Sequence, residues 1–297
     1  MRFPLLPALA PRRASWLLAA LLLFAAPLAA QTIQGRVTDA KTGEALPFVN
    51  IGLVGKGIGT VADEQGRYAL PFSTAHARDT VRVSSLGFRP RRLLLEELAR
   101  QPQLQLTPEA IALQEVKVKA KGPYKRTHRL GFDKDKEGGT LSLSSNDLGT
   151  EIGSIIQLKR RPTLLLNANF NVAYNHAGPL TFRVNLYRLL PNGKPSDVKL
   201  VARDIIVTSA VQKGPITVDL APYQLVLDED FLLSLEWVDG PERARVSSAL
   251  AFVAGLGFTD NDLYVRTTSQ ATWERAAVGA LLAGMQPKLG FFVTVKD

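Results

Sequence analysis

Gln34-Gly35-Arg36-Val37-Thr38-Asp39, continued by Thr42-Gly43-Glu44-Ala45-Leu46-Pro47 and closed by Asp63-Glu64-Gln65-Gly66-Arg67-Tyr68, is the stretch that decides the fold. It reads as three short strands joined by two turns. Ile33, Gly35 and Val37 share one face, and Val49, Ile51 and Leu53 share another, the period-2 spacing of half-buried strands. Gly43 and Gly66 stand where the chain must reverse and where positive φ costs least. Further on, Val81 and Val83 alternate with Arg82 and Ser84, and Leu104 and Leu106 supply a closing strand.

Several of these motifs, in order, resemble the carboxypeptidase regulatory-like domain. They are the three-strand opening, the Ser84-Ser85-Leu86-Gly87-Phe88 turn, and Leu113-Gln114-Glu115-Val116-Lys117-Val118 at the place of the family's exit strand. The resemblance covers residues 32 to 119. It implies a small transthyretin-like (prealbumin-like) β-sandwich and names no reaction. Together with the leader and the absence of cysteine described below, it implies an exported protein of Bacteroidetes type, resident in the periplasm, at the outer-membrane surface or in the medium of a Gram-negative cell.

Residues 1–30 read as a secretory signal peptide. Arg2, Arg12 and Arg13 form a positive start, Trp16 to Ala26 is apolar, and Pro27-Leu28-Ala29-Ala30 offers small residues before cleavage at Gln31. The apolar run is shorter than the roughly 20 residues a spanning helix needs. Loss of the three arginines lowers the formal net charge from +9 to +6 on the mature chain. Cysteine is absent, so no disulfide framework and no lipoprotein anchor is expected, and the exported chain must rely on core packing.

The expected organisation is all-β with two sandwiches: residues 31–119 regulatory-like, 120–139 a basic linker, and 140–297 a second, jelly-roll-like sandwich. The linker carries Lys121, Lys125, Arg126, Arg129, Lys134 and Lys136 with little apolar periodicity. Strand signals then recur at sandwich spacing. Asn167, Asn169 and Asn171 alternate with Ala168, Phe170 and Val172, and Phe182, Val184 and Leu186 alternate with Thr181, Arg183 and Asn185. Phe231, Leu233, Leu235 and Trp237 alternate with Leu232, Ser234 and Glu236, and Phe291, Val293 and Val295 form a last strand. Arg275 to Met285 alone has a helical composition, weakened by Gly279 and Gly284. An eight-stranded membrane barrel fits the length of this half, but no aromatic girdles bracket its strands.

The reactive inventory is thin. His76, His128 and His176 stand far apart and in no zinc-ligand spacing. No G-x-S-x-G elbow occurs, and the glycine-rich run Gly52 to Gly59 lies between strands without a helix N-terminus to present to a phosphate. The chain is therefore read as non-catalytic, with no cofactor expected. Calcium is the candidate cation, with Asp260 and Asp262 as its oxygen ligands, against the plain reading of a turn. Trp273, with Asn167, Asn169 and Asn171 as polar partners, is the candidate sugar-binding set, whereas Trp237 is in phase with the core. The expected partner is a polysaccharide or another envelope protein. Nucleic acid is not expected of an exported chain without interleaved aromatics, and membrane contact is peripheral at most, through basic groups such as Lys159, Arg160 and Arg161. The alternative function is a glycan-active hydrolase using paired carboxylates, Glu236 with Asp239 or Asp260.

Overall fold

A computed structural model describes residues 31–109, 126–134, 138–142, 148–240, 249–257, 263–276 and 286–297. The leader (1–30), the exit strand at 113–118, Asp260 and Asp262, and all of the expected helix beyond Ala276 lie outside the described residues. Arg275 itself ends a two-residue strand.

The first sandwich contains β1 (Gln31–Asp39), β2 (Asn50–Leu53), β3 (Gly59–Val61), β4 (Arg67–Phe72), β5 (Thr80–Ser84), β6 (Arg91–Leu94), the helix α1 (Leu95–Arg100) and β7 (Gln103–Leu106). One sheet has the order β4-β1-β7, with β1 and β7 parallel, and the other is β3-β2-β5-β6. Val37, Leu70 and Leu104 meet Ile51, Leu53, Val81 and Val83 between them, with Leu95 and Leu98 of α1 in the same core. The turn reading holds at its glycines: Gly43 and Gly66 have φ of 75° and 73°. At Gly66 a Cβ would also lie 2.5 Å from the Val37 carbonyl oxygen, so the turn excludes any side chain there.

The second sandwich is built from β8 (Thr127–Gly131), β9 (Gly139–Ser142), β10 (Glu151–Ile156), β11 (Thr163–Asn175), β12 (Leu180–Leu189), β13 (Pro195–Lys199), β14 (Ile205–Ser209) and β15 (Gly214–Asp219). It continues with β16 (Val226–Leu227), β17 (Phe231–Asp239), β18 (Leu250–Gly257), β19 (Leu263–Arg266), β20 (Glu274–Arg275), β21 (Gln286–Leu289) and β22 (Phe291–Lys296). A seven-stranded sheet runs β13-β12-β17-β10-β19-β20, with β14 also on β12. An eight-stranded sheet runs β21-β18-β11-β22-β8, with β15 and β16 on β11 and β9 on β18. The chain passes back and forth between the two sheets, the wrapping of a jelly-roll-like sandwich. Phe170, Phe252 and Phe291 from one sheet pack with Phe182, Leu233 and Trp237 from the other, and Trp237 is a core residue as its phase predicts. These strands enclose an apolar core between two facing sheets and do not close into one barrel. Among the described residues no helix is long and apolar enough to cross a membrane.

The expected linker is corrected at its centre. Thr127–Gly131 is a strand that pairs with β22, Leu130 lying opposite Val293, and Leu130 is buried in the second core. Arg126 and Arg129 disguise the strand in the sequence, because only every other residue of an edge strand need be apolar. From Thr32 onward the chain forms one compact unit, so the two sandwiches are packed against each other.

Candidate functional site

Strand register assembles the site. On adjacent strands β12, β17, β10 and β19, Arg183 lies opposite Glu236, Glu236 opposite Glu151, and Glu151 opposite Arg266. The result is a row of four charges, positive-negative-negative-positive, straight across the sheet. Neighbouring residues on the same strands, among them Val184, Leu235 and Ile152, face the core, so the row occupies the sheet's outer face. An outer face ordinarily meets water, yet Arg183, Glu236, Glu151 and Arg266 are only 1%, 0%, 0% and 4% exposed.

The first sandwich provides the cover. Arg183 Nη2 donates to the Phe48 carbonyl, and Phe48 and Val61 pack with Val238. Phe48 holds a φ of 53°, an arrangement costing on the order of 1–3 kcal/mol for a non-glycine residue. Its carbonyl is one of the groups that satisfy Arg183. The glycine-rich β2–β3 turn packs onto residues 267–270: Gly55 N–H donates to the Gln270 carbonyl at 3.0 Å, and a Cβ at Gly57 would lie 2.8 Å from Thr267 Oγ1. Arg82 Nη1 donates to Gln270 Oε1 at 3.2 Å. The glycines thus serve a close approach between domains rather than a phosphate.

Two carboxylates facing each other across neighbouring strands repel, and the surrounding donors resolve the conflict. Asn185 Nδ2 donates to Glu151 Oε1 at 2.8 Å and to Glu236 Oε2 at 3.1 Å. Ser234 Oγ donates to Glu151 at 2.6 Å, and Arg266 Nε to Glu151 Oε2 at 2.8 Å. Arg183 Nη1 donates to Glu236 at 3.0 Å, while Arg183 Nε lies 3.2 Å from Asp204 Oδ2. Burial alone would raise the Glu236 pKa, but the Arg183, Lys199 and Arg266 charges outweigh it and hold this carboxyl below its ordinary value. Burial likewise opposes the Arg183 charge, and Glu236 and Asp204 reverse that effect and raise its pKa. Tyr187, whose hydroxyl accepts from Arg266 Nη2 at 2.7 Å, is pushed well above its ordinary value by burial.

Above the row, a cleft of about 410 Å³ lies between the sandwiches, walled by Asn50, Arg82 and Phe88 on one side and by Lys199, Asp204 and Arg266 on the other. That volume lies within the roughly 300–1,000 Å³ of small-molecule sites. Asn50 Oδ1 and Asp204 Oδ1 are without hydrogen-bond partners. Lys199 Nζ is 3.9 Å from Asp204 Oδ1, too far for a hydrogen bond, and burial together with the Arg183 charge lowers its pKa. The wall therefore combines spare acceptors, ammonium and guanidinium donors, and two aromatic side chains, Phe88 and Tyr187. That combination suits a ligand bearing hydroxyl groups.

The sequence-predicted residues fall elsewhere. Trp273 is half-buried behind the row, its ring 5.6 Å from that of Tyr187 and beneath the Arg266 guanidinium at 4.1 Å. Asn167, Asn169 and Asn171 lie on the outer face of the other sheet, on β11. There Asn169 Nδ2 donates to Asn167 Oδ1 at 3.0 Å, Thr217 Oγ1 to Asn169 Oδ1 at 2.9 Å, and Asn171 Nδ2 to the Lys134 carbonyl at 2.9 Å. Trp273 and the asparagines sit on opposite outer faces of one sandwich and form no common site, because β11 and β20 belong to different sheets. Glu236 pairs with Arg183 and not with Asp239, whose Oδ1 accepts from the Gly240 N–H at 2.8 Å. Among the described residues no group of three or more His, Asp or Glu is placed to hold a metal. The residues missed by sequence reasoning are Glu151, Lys199, Asp204 and Arg266. One signal was legible: Arg183 and Asn185 on one strand and Ser234 and Glu236 on another are polar, oppositely charged and equally spaced.

No curated protein sequence matches the chain at a significant level. Solved structures with some similarity include the cysteine protease and lectin-like domains of Cwp84, a surface layer associated protein of Clostridium difficile. That match has 14% identity and a TM-score of 0.39, and covers 58% of this chain and 36% of that one. Another is the infectious bursal disease virus Gt strain, at 9% identity and a TM-score of 0.27, covering 89% of this chain and 62% of that one. The chain thus spans about a third of the length of the first of these. Residues 33–118, the stretch that holds the first sandwich, match the model of the CarboxypepD_reg-like domain.

Proposed function

We propose that this is an exported, non-catalytic binding protein of the bacterial envelope, and that a neutral polysaccharide is held in the cleft between its two sandwiches. The observation that carries this reading is the cleft wall itself. It is shared by both sandwiches, and it leaves Asn50 Oδ1 and Asp204 Oδ1 unsatisfied beside Lys199 and Arg82. Sugar hydroxyls donate to such acceptors and accept from such cations. The arginine-flagged apolar leader supports export, which N-terminal sequencing of the mature chain tests, with Gln31 the expected first residue.

Binding is tested with the mature full chain on an array of neutral glycans, followed by calorimetric titration of each glycan retained. At least one neutral glycan is expected to bind, with affinity at least about tenfold weaker in Lys199→Met, the roughly 1.4 kcal/mol of one charge-assisted hydrogen bond. Arg92→Ser, on the exposed strand β6, is expected to bind as the parent does. No glycan retained, or equal retention by Lys199→Met, overturns the reading.

A further inference from the structure

Among the described residues that line the interdomain cleft, Lys199 is the one amine. It ends β13, opposite Tyr187 of β12. The charges acting on it are those of Arg183, Glu236 and Glu151 in the same sheet and of Asp204, just before β14. Arg82 of the first sandwich stands in the facing wall. Asp204 Oδ1 is the carboxylate oxygen nearest to Lys199 Nζ, 3.9 Å away and beyond hydrogen-bond length. That oxygen accepts no hydrogen bond, while Oδ2 of the same residue lies 3.2 Å from Arg183 Nε. An amine, an acceptor without a donor and two guanidinium groups thus face one cavity of about 410 Å³.

A lysine ammonium can only donate hydrogen bonds, whereas the neutral amine attacks carbonyl carbons. Exposed lysines hold their proton at neutral pH. At Lys199, burial and the Arg183 charge both oppose the ammonium, and the carboxylates of Asp204, Glu236 and Glu151 offset them only in part. The proton is therefore lost more readily there than in water. Desolvation beside a second cation is a general way of making a lysine nucleophilic. The arginines of the wall have no such option, because a guanidinium keeps its proton. A ligand rich in hydroxyl groups brings a matching electrophile if it is an aldose, whose open-chain form carries an aldehyde carbon next to its hydroxyls.

We propose that Lys199 captures the reducing end of an aldose as a reversible imine, with Asp204 carrying the proton. The choice of an aldose rests on the cleft being a saccharide site, as proposed above. The amine nitrogen attacks the aldehyde carbon, a C–N bond forms, and the carbonyl electron pair moves onto oxygen. Asp204 Oδ1 takes one proton from the nitrogen and passes it to that oxygen, which gives a carbinolamine. The nitrogen lone pair then expels the hydroxyl, the second nitrogen proton leaves with it, and one water is released for each imine. Arg82 gives one N–H to Gln270 Oε1, and its guanidinium lines the cavity in which negative charge develops on the carbonyl oxygen. Water reverses the sequence, so the capture is stoichiometric and serves retention rather than turnover.

The test incubates the mature full chain with glyceraldehyde, a small hydroxylated aldehyde, and an excess of cyanoborohydride, which reduces an imine to a stable secondary amine. Peptide mass mapping then follows the adduct at each lysine. Lys199 is expected to be labelled at least about a hundredfold faster than the exposed Lys41 and Lys194, the lower end of what a positioned proton-transfer group supplies. Its labelling is also expected to reach half its maximal rate at a lower pH than theirs. Lys199→Arg removes the adduct at this position and leaves labelling of Lys41 and Lys194 unchanged. In Asp204→Asn, loss of the carboxylate charge by itself makes the amine more available, so a slowing of at least about tenfold isolates the proton transfer. Undiminished labelling in that variant overturns the part given to Asp204. If Asp204→Asn melts early, the pH profile of Lys199 in the parent decides. Labelling of Lys199 no faster than that of Lys41 and Lys194, or with the same pH profile, overturns the proposal. A neutral glycan that binds by calorimetry without selective labelling sinks the imine alone. Selective labelling of Lys199 with no glycan retained on the array supports the imine and sinks the polysaccharide reading.

Discussion

Replacing Arg183 by methionine removes the partner of a carboxylate that has no route to water. Glu236 is fully buried, and its remaining side-chain donor is the Asn185 amide, whose Nδ2 also donates to Glu151. Breaking a buried pair on one side costs about 3–5 kcal/mol, whereas replacing both members by apolar groups is often neutral. Arg183→Met is therefore expected to lower the urea midpoint strongly, and Arg183→Met/Glu236→Met to recover most of the loss. Failure of the double substitution to recover would place the energy in the contacts of Arg183 with Phe48 and Asp204 instead. The pH dependence has a definite sign. Because Glu236 titrates below its ordinary value when folded, the unfolded chain takes up the proton first as pH falls. The contribution is fully present above the ordinary glutamate pKa of about 4.3. It is lost as pH drops through the lowered folded value. Glu236→Gln is expected to be less stable at neutral pH and to show a flatter decline in urea midpoint between about pH 6 and pH 3.

At the scale of the element, Leu130 distinguishes a strand from a linker. Full burial among the core side chains of the second sandwich gives Leu130→Ala an expected cost of about 2–5 kcal/mol in the full chain, measured by urea denaturation. Leu190→Ala, at a position 45% exposed, is expected within about 0.5 kcal/mol of the parent. Equal effects would return residues 127–131 to the status of linker. The same strand explains why the sequence was legible in some places and not in others. Strands with two-sided apolar alternation, such as Phe231 to Trp237, could be read directly, and so could turns whose glycines need positive φ, such as Gly43 and Gly66. β8 has one buried residue among polar ones and a glycine, and the first four residues of β10 include a glutamate, a glycine and a serine, so neither announces itself by periodicity. The candidate site was less legible still. Polar residues on the outer face of a strand imply solvent until something covers them, and nothing local in Arg183 or Glu236 reveals that Phe48, about 135 residues earlier, supplies the cover. Trp273 misled for the complementary reason: its surroundings in sequence are polar, but Arg266 and Tyr187 enclose it.

For the whole molecule, the question is what holds two sandwiches in one unit. Ion pairs are a poor answer, because charges released from the row by separation would regain hydration, and a buried pair gains little net stability. The adhesive contacts are the Phe48, Val61 and Val238 cluster and the fit of the β2–β3 turn on residues 267–270. That fit depends on Gly57, where a side chain has 2.8 Å to Thr267 Oγ1 before it meets the other domain. Gly57→Phe therefore acts as a wedge at the seam while leaving both cores untouched. Overpacking of this kind costs about 1–3 kcal/mol. A chain of this size loses roughly 2–4 °C per kcal/mol. The parent is expected to melt in one cooperative calorimetric transition, and Gly57→Phe to melt earlier and in two, with the first sandwich opening before the second. The cleft shares its walls between domains, so neutral-glycan binding is expected to weaken in the same variant. A single unshifted transition would mean that the turn is a passive neighbour and that the charged row, against the desolvation argument, is what joins the two halves.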